Sequence, residues 1–386
     1  MSPADPLFVL VAGEASGDTL GAGLINELRA RYPTARFVGV TGPQMRAAGC
    51  ESLADIEALS LFGISEVIGQ IPRLLRLRHR LYQEILAMQP AVVIGIDAPA
   101  FNTRLETRLR RAGIKTVHYV CPTVWAWREG RVRHIRAAVD RLLAIFPFEP
   151  AYFARHGIEA VYVGHPLADE LPVYPDARSA RAALNLSHGP PLVGLLPGSR
   201  GAEVSRLAGR LVATARWIAA RRPDVAFVIP AASPRMQQLV EAAAAAEGAG
   251  LDITIIAGRS REVMRACDVL ILASGTATLE ALLAKTPMVV TYELSSMNYW
   301  LARGLNLIKT QFVSMPNLLA GRRLVPELLQ TDSRIPMLGA WALRLLADSP
   351  ERRAQIAGFT VLHDTLARGA NARAAEAVAE LVDARA

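Results

Sequence analysis

The chain has 386 residues, of which 52% are apolar and 20% charged, and its formal net charge is +8. That length favours two domains of the usual ~100–200 residues, and the apolar share excludes a disordered or low-complexity chain. A basic balance suits an anionic partner, but no run of five basic residues and no aromatic-studded basic motif occurs, so nucleic acid is excluded as a partner and anionic lipid or a phosphorylated substrate is favoured.

Cys50, Cys121 and Cys267 form no C-x-x-C pair, which argues against a disulfide framework or a zinc site and for a reducing compartment. The apolar run at residues 7–12 is too short for a signal peptide, and no uncharged apolar stretch approaches the ~18 residues of a membrane span.

In chain order, short β-branched apolar runs predict strands at residues 7–12, 36–40, 91–96, 115–120, 141–146 and 160–163. A second series is predicted at 192–196, 226–230, 252–256, 269–273 and 288–292. None of these alternates with polar residues, as expected of strands covered on both faces of a parallel sheet. Helical patterns fall between them, for example at 19–31, 203–221 and 276–285, and the pattern after Pro336 is helical to the end. Repeated β-α units predict an α/β fold of two doubly wound, Rossmann-like parallel-sheet domains facing across a cleft. The stretch 164–175 carries Pro166, Pro172 and Pro175 and reads as the linker, giving domains at 1–165 and 166–345. Residues 346–386 would be terminal helices packing back on the first domain or on a partner subunit.

Five loops after strands carry chemistry. The first, at 13–21, has Gly13, Gly17 and Gly21 but neither the G-x-G-x-x-G nor the Walker spacing. Its acids Glu14 and Asp18 would repel a pyrophosphate, so it suits sugar hydroxyls; the alternative is a helix cap made by Ser16 or Asp18. The second, at 94–102, places Asp97 at the end of a buried strand, as a general base or as the cap of the next helix. The third, at 118–128, holds His118, Trp125 and Trp127. Its aromatic rings could bind a sugar face or an acyl chain, or simply pack, and His118 alone reads as a satisfied core histidine. The fourth, at 195–203, joins Gly198 and Ser199 to Arg200 at a helix start, which suits a diphosphate. The fifth, at 273–280, has Ser274 as a natural N-cap, a second phosphate seat behind it, and Glu280 within reach of ribose hydroxyls. No Asp-x-Asp or His cluster occurs, the nearest approach being Asp55-Ile56-Glu57. No metal or cofactor is therefore expected, and Arg200 with two helix starts would neutralise a departing diphosphate at ~1.5–3 kcal/mol per charge-assisted contact.

At these loops the chain resembles the bacterial lipid-A-disaccharide synthase family. The resemblance rests on AGEASGD at 12–18, GIDAPAFN at 95–102, HYVCPTVWAWR at 118–128, FPFE at 146–149, VGHPL at 163–167, LLPGSRGAEV at 195–204, LASGTATLE at 272–280 and VSMPNLLAGR at 313–322. Two positions depart from the family pattern: Ala100 stands where IDAPDFN has its second acid, and Cys121 where HYVSP has serine.

The resemblance implies a GT-B fold, with the acceptor on the first domain and UDP-sugar on the second. It implies an inverting hexosyltransferase that joins UDP-2,3-diacylglucosamine to 2,3-diacylglucosamine 1-phosphate (lipid X) and yields lipid A disaccharide 1-phosphate and UDP. Asp97 and Arg200 would be catalytic. Gly198, Ser199, Arg200, Ser274, Gly275, Thr276, Thr278, Glu280 and Asn317 would bind UDP, and Glu14, Ser16, Gly17, Asp18, His118 and Trp125 the sugars. Leu61, Phe62, Ile64, Val67, Ile68, Leu74 and Leu75, followed by arginines, would meet acyl chains on the inner-leaflet surface of a Gram-negative bacterium, the protein being a cytoplasmic, peripheral monomer or homodimer. Rival readings are a UDP-N-acetylglucosamine 2-epimerase on the same fold and a non-catalytic UDP-sugar- or lipid-binding paralogue; a nicotinamide dehydrogenase lacks its glycine fingerprint.

Overall fold

Strands of Val, Ile and Leu lacking polar alternation must be covered on both faces, and the chain meets that demand twice. The computed structural model describes residues 5–59, 64–125, 129–293 and 311–384, without the side chains of residues 64–70 and 129. Leu61, Phe62 and Trp127 lie outside the described residues, as do the side chains of Ile64, Val67 and Ile68. The chain divides into two units, Met1–Asp169 with Leu366–Ala386, and Glu170–Thr365.

The first unit holds β1 (Leu7–Ala12), β2 (Arg36–Thr41), β3 (Glu51–Asp55), β4 (Val92–Ile96), β5 (Thr116–Tyr119), β6 (Arg141–Ala144) and β7 (Ala160–Tyr162). They form one seven-stranded sheet in the order β3-β2-β1-β4-β5-β6-β7, every pairing parallel. The second unit holds β8 (Leu192–Leu196), β9 (Ala226–Ala231), β10 (Ile253–Ala257), β11 (Val269–Ala273), β12 (Met288–Tyr292) and β13 (Glu327–Leu329). Its six strands run β10-β9-β8-β11-β12-β13, again all parallel. Both sheets thus reverse strand order once, between β1 and β4 and between β8 and β11, and each reversal opens a crevice at the carboxyl ends of those strands.

Two strands escaped the sequence patterns. Glu51–Asp55 is an edge strand with exposed and half-buried residues and no apolar run, and Glu327–Leu329 is only three residues long. The central strands lose all contact with water: Val193, Leu195, Phe227, Val269 and Ile271 pack with Leu211 and Ile218 of the helix Gly201–Ala219 and with Leu338 and Leu345 of the helix Ile335–Leu346. Full burial of each such side chain is worth ~1.5–3 kcal/mol.

The last helix, Ala370–Asp383, belongs to the first unit. Asp383 takes Arg31 Nη2 at 3.0 Å and the Tyr32 hydroxyl at 2.6 Å, and Glu380 takes Arg141 at 2.9 Å. Asp169 accepts from the backbone N–H groups of Gly369 and Ala370, at 2.9 and 2.6 Å, just where the chain re-enters this unit. The exposed ion pairs orient the helix more than they stabilise it; the buried alanines Ala370, Ala374 and Ala377 let it lie close. Among the described residues no helix is long and apolar enough to cross a membrane.

Candidate active site

The β1–β4 crevice is built by two tight turns. Gly13 comes so close to the second turn that a Cβ there would sit 2.3 Å from Ala98 Cβ, so only glycine fits. Asp97 and Ala98 both take left-handed backbone angles, φ 51 and 44. Aspartate tolerates that region, but alanine does so at a cost of ~1–2 kcal/mol. The strain is held by bonds: Asp97 N donates to Tyr119 O at 2.9 Å, and Asn102 Nδ2 donates to the carbonyls of Asp97, Ile96 and Val11 at 2.8, 3.3 and 3.1 Å. The half-buried Asp97 carboxylate makes no hydrogen bond among the described residues, as a proton acceptor requires. The alternative reading of Asp97 as a cap does not hold, because Ala98 occupies the N-cap of the helix Pro99–Arg111 and no side chain caps it. Glu14, the N-cap residue of the helix Ala15–Arg31, and Ser16 in its first turn are exposed beside them.

Beneath Asn102 lies a buried dyad: His118 Nδ1 is 2.7 Å from Glu106 Oε1, and both side chains are almost wholly enclosed. His118 Nε2, Glu106 Oε2 and Asn102 Oδ1 are buried without a hydrogen-bond partner. The expectation that His118 touches a sugar is corrected: the ring has no exposed surface and supports the floor of the crevice instead. Asp18 is corrected likewise. It is 2% exposed and accepts backbone N–H groups from Gly42 (2.8 Å), Gln44 (2.8 Å) and Met45 (3.0 Å). It therefore clamps the helix Pro43–Ala47 rather than its own, Ala15–Arg31, or a ligand. Gly17 is buried one position before it.

The aromatic loop is also tied inward. Trp125 is half-buried, donates its Nε1–H to Glu149 Oε1 at 3.2 Å and meets Phe148 edge-on at 4.8 Å. Glu149, 1% exposed, also accepts from Phe146 N at 3.1 Å. Burial pushes its carboxyl up to about 8 against the pull of those N–H donors. All three cysteines are free and buried, and burial raises each thiol, that of Cys50 to about 12, which disfavours the reactive thiolate.

In the second unit a cavity of about 540 Å³ sits at the carboxyl ends of β8, β9, β10 and β11. Gly198, Ser199, Arg200, Ser274, Gly275, Thr276 and Glu280 all line it. Gly198 adopts φ 113 and Gly275 φ 154, which turns both loops into the space. Arg200 is the N-cap residue of the helix Gly201–Ala219; 83% of its side chain is exposed, and its Nη1 donates to Glu203 Oε1 at 3.3 Å. Sequence reading missed the wall from residues 258–260, where Gly258 and Arg259 both take left-handed angles. The Gly-Arg-Ser turn after a predicted strand was the available signal. Glu280 is held by Arg261 at 2.8 Å on the rim.

Two expected nucleotide ligands, Thr278 and Asn317, are not among the lining residues, and a third, Ser274, lines the cavity with its hydroxyl already engaged. Thr278 is buried, with Oγ1 donating to Gly275 O and accepting from Met315 N. Asn317 is buried and fully spent: Oδ1 accepts from Leu324 N and Val325 N, and Nδ2 donates to Val325 O and Glu327. Ser274 does not cap its helix, since Thr276 is the N-cap of Ala277–Leu283 and the serine hydroxyl donates to Val313 O at 2.7 Å. Short polar side chains beside a turn satisfy the turn first.

Leu74 is half-buried and Leu75 exposed on the helix Ile64–Met88. Among the described residues no three His, Cys, Asp or Glu side chains gather as metal ligands.

Comparison with known proteins places this architecture. The putative UDP-N-acetylglucosamine 2-epimerase of Listeria monocytogenes superposes with a TM-score of 0.64 at 13% identity, covering 97% of this chain and 94% of that one. The glycotransferase of kitacinnamycin does so at 0.59 and 15%, covering 98% and 100%. At such identities they establish the GT-B fold alone. Lipid-A-disaccharide synthases of Chromohalobacter salexigens and Pseudomonas aeruginosa are 48% and 46% identical, over 97% and 99% of this chain and 96% and 100% of theirs. With the lipid-A-disaccharide synthetase sequence profile matching residues 8–381 as well, the chain belongs to the lipid-A-disaccharide synthase family of glycosyltransferases.

Proposed function

We propose that the protein transfers a 2,3-diacylglucosaminyl group from its UDP ester to the 6-hydroxyl of lipid X with inversion at the anomeric carbon. The observation that carries this reading is the second-unit cavity, where glycine turns and a largely exposed arginine share one space in a chain of this family. Asp97 takes the proton of the acceptor hydroxyl as its oxygen attacks C1. The C1–O bond to the diphosphate breaks, its electron pair leaving on UDP. Arg200 and the backbone N–H groups of the loops at 198–200 and 274–276 receive that charge, each charge-assisted bond contributing ~1.5–3 kcal/mol. Glu280 accepts from the ribose; Glu14, Ser16 and the open face of Trp125 serve the sugars.

Acyl chains come from a membrane surface. The helix Ile64–Met88 exposes 45% each of Ile71 and Leu75, with Arg73, Arg76 and Arg80 exposed beside them. That pairing suits an anionic leaflet, with the protein peripheral on the cytoplasmic side.

The test is one assay with EDTA present: UDP-diacylglucosamine and lipid X, following UDP release and disaccharide. Equimolar UDP and disaccharide support the reading. Conversion of non-acylated UDP-N-acetylglucosamine instead supports an epimerase, and UDP binding without turnover a non-catalytic paralogue.

A further inference from the structure

A second cavity, of about 310 Å³, opens in the first unit against the start of the helix Pro99–Arg111, two residues beyond Asp97. Its walls include Ala100, Thr103, Arg104, Thr123, Arg131 and His134, and no carboxylate is among the described lining residues. Arg104 and His134 are exposed and make no hydrogen bond or ion pair among the described residues. The wall at 100 is a methyl group, where the family pattern has an acid. Thr103 donates its hydroxyl to Pro99 O at 2.5 Å, which turns it inward and leaves Thr123, His134 and the two arginines as side-chain donors lining the space.

The crowding extends outward. Burial together with the charges of Arg104 and Arg108 lowers the pKa of Arg78 on the helix Ile64–Met88, and Arg108 itself lies 3.9 Å over the Tyr82 ring. The positive charges of Arg78, Arg104 and Arg108 lie close enough to oppose one another, a cost that a bound dianion lowers. The positive end of a 13-residue helix adds to the same field.

We propose that this cavity holds the phosphomonoester of the sugar acceptor, gripped by Arg104, Arg131 and His134. This rests on the transferase reading above, and it explains how Asp97 meets one particular hydroxyl. An acceptor anchored at its phosphate, with Asp97 on the adjoining turn, presents the far end of its ring in a single register. The site selects sugar 1-phosphates over unphosphorylated sugars, and it positions the acceptor without touching the reacting atoms.

The test begins with calorimetric titration of glucosamine 1-phosphate, and of glucosamine, into the full chain. Arg104→Ala, Arg131→Ala and His134→Ala are compared with Arg111→Ala, an exposed arginine of the same helix outside the cavity. The sugar phosphate binds wild type and Arg111→Ala within twofold of each other and binds the two arginine variants of the cavity at least tenfold more weakly. Glucosamine binds all of them alike. In the transferase assay, Arg104→Ala raises the KM for lipid X at least tenfold and leaves the KM for the UDP-sugar unchanged, and Arg104→Lys recovers part of the loss.

Equal affinity of all variants for glucosamine 1-phosphate overturns the proposal, as does an unchanged KM for lipid X in an active Arg104→Ala enzyme. If wild type releases no UDP yet binds the sugar phosphate through Arg104, the transferase reading falls and the anion site stands.

Discussion

Replacing Asp18 by alanine tests whether the acid in the first glycine turn is scaffold or ligand. The carboxylate is 2% exposed and accepts three backbone N–H groups at 2.8, 2.8 and 3.0 Å. A hydrogen bond to a charged group contributes ~1.5–3 kcal/mol, and each donor left buried and unpaired costs ~1–3 kcal/mol. The three bonds share one acceptor and are not additive, and the Gln44 N–H is close enough to the surface to regain water. A loss of ~3–5 kcal/mol is expected, a large part of the ~5–15 kcal/mol that holds a typical domain. Asp18→Asn keeps one acceptor oxygen and should lose ~1–2 kcal/mol. Urea unfolding followed by circular dichroism measures the shift, with UDP affinity of the second unit as an internal control that stays constant. An Asp18→Ala protein within ~1 kcal/mol of wild type, altered only in sugar kinetics, would refute the scaffold assignment.

Asp97→Asn and Arg200→Ala should each lose at least about a hundredfold in turnover with an unchanged unfolding midpoint, since neither side chain supports the fold; near-normal turnover in Asp97→Asn would remove it as the base. Glu149 gives a pH signature. Burial lifts its folded pKa from the ordinary 4.5 to about 8, so the unfolded chain releases its proton first as pH rises. Stability should fall by ~1.4 kcal/mol per pH unit between roughly 4.5 and 8 and level off above, and Glu149→Gln should flatten that dependence in denaturation series at pH 5, 6.5 and 8. Gly339→Ala would drive a Cβ to 2.3 Å from the Trp217 ring, where the helix Ile335–Leu346 crosses Gly201–Ala219. Overpacking of that kind costs ~1–3 kcal/mol, read as a lower thermal midpoint with UDP affinity retained.

Much of the molecule follows from local pattern. Runs such as Leu7–Ala12, Leu192–Leu196, Val269–Ala273 and Met288–Tyr292 are strands at the same limits that their composition predicts, because a β-branched run with no polar alternation has one stable environment, the middle of a parallel sheet. The turns at Gly13, Asp97, Gly198 and Gly275 were legible for a related reason. Strands of a doubly wound sheet end at a common edge, so residues just after them share a crevice whatever the distance between them along the chain.

Only the tertiary structure decided which way each polar side chain turns. Asp18, His118, Thr278 and Asn317 stand in motifs of the same family pattern that holds Glu14, Asp97 and Arg200, but folding buries the first four against backbone groups or a buried partner that would otherwise go unpaired. Burial depends on what other segments bring: Gly42 to Asp18, Glu106 to His118, Met315 to Thr278, Leu324 to Asn317. The same holds for the gathering of Arg104, Arg131 and His134, which belong to no shared motif and line one cavity because the helical segments that follow the neighbouring strands β4 and β5 lie side by side. Sequence dictates where a loop must lie, through the hydrophobic effect acting on its flanking strands; the hydrogen-bonding demands of distant segments dictate which of its side chains remain free for chemistry.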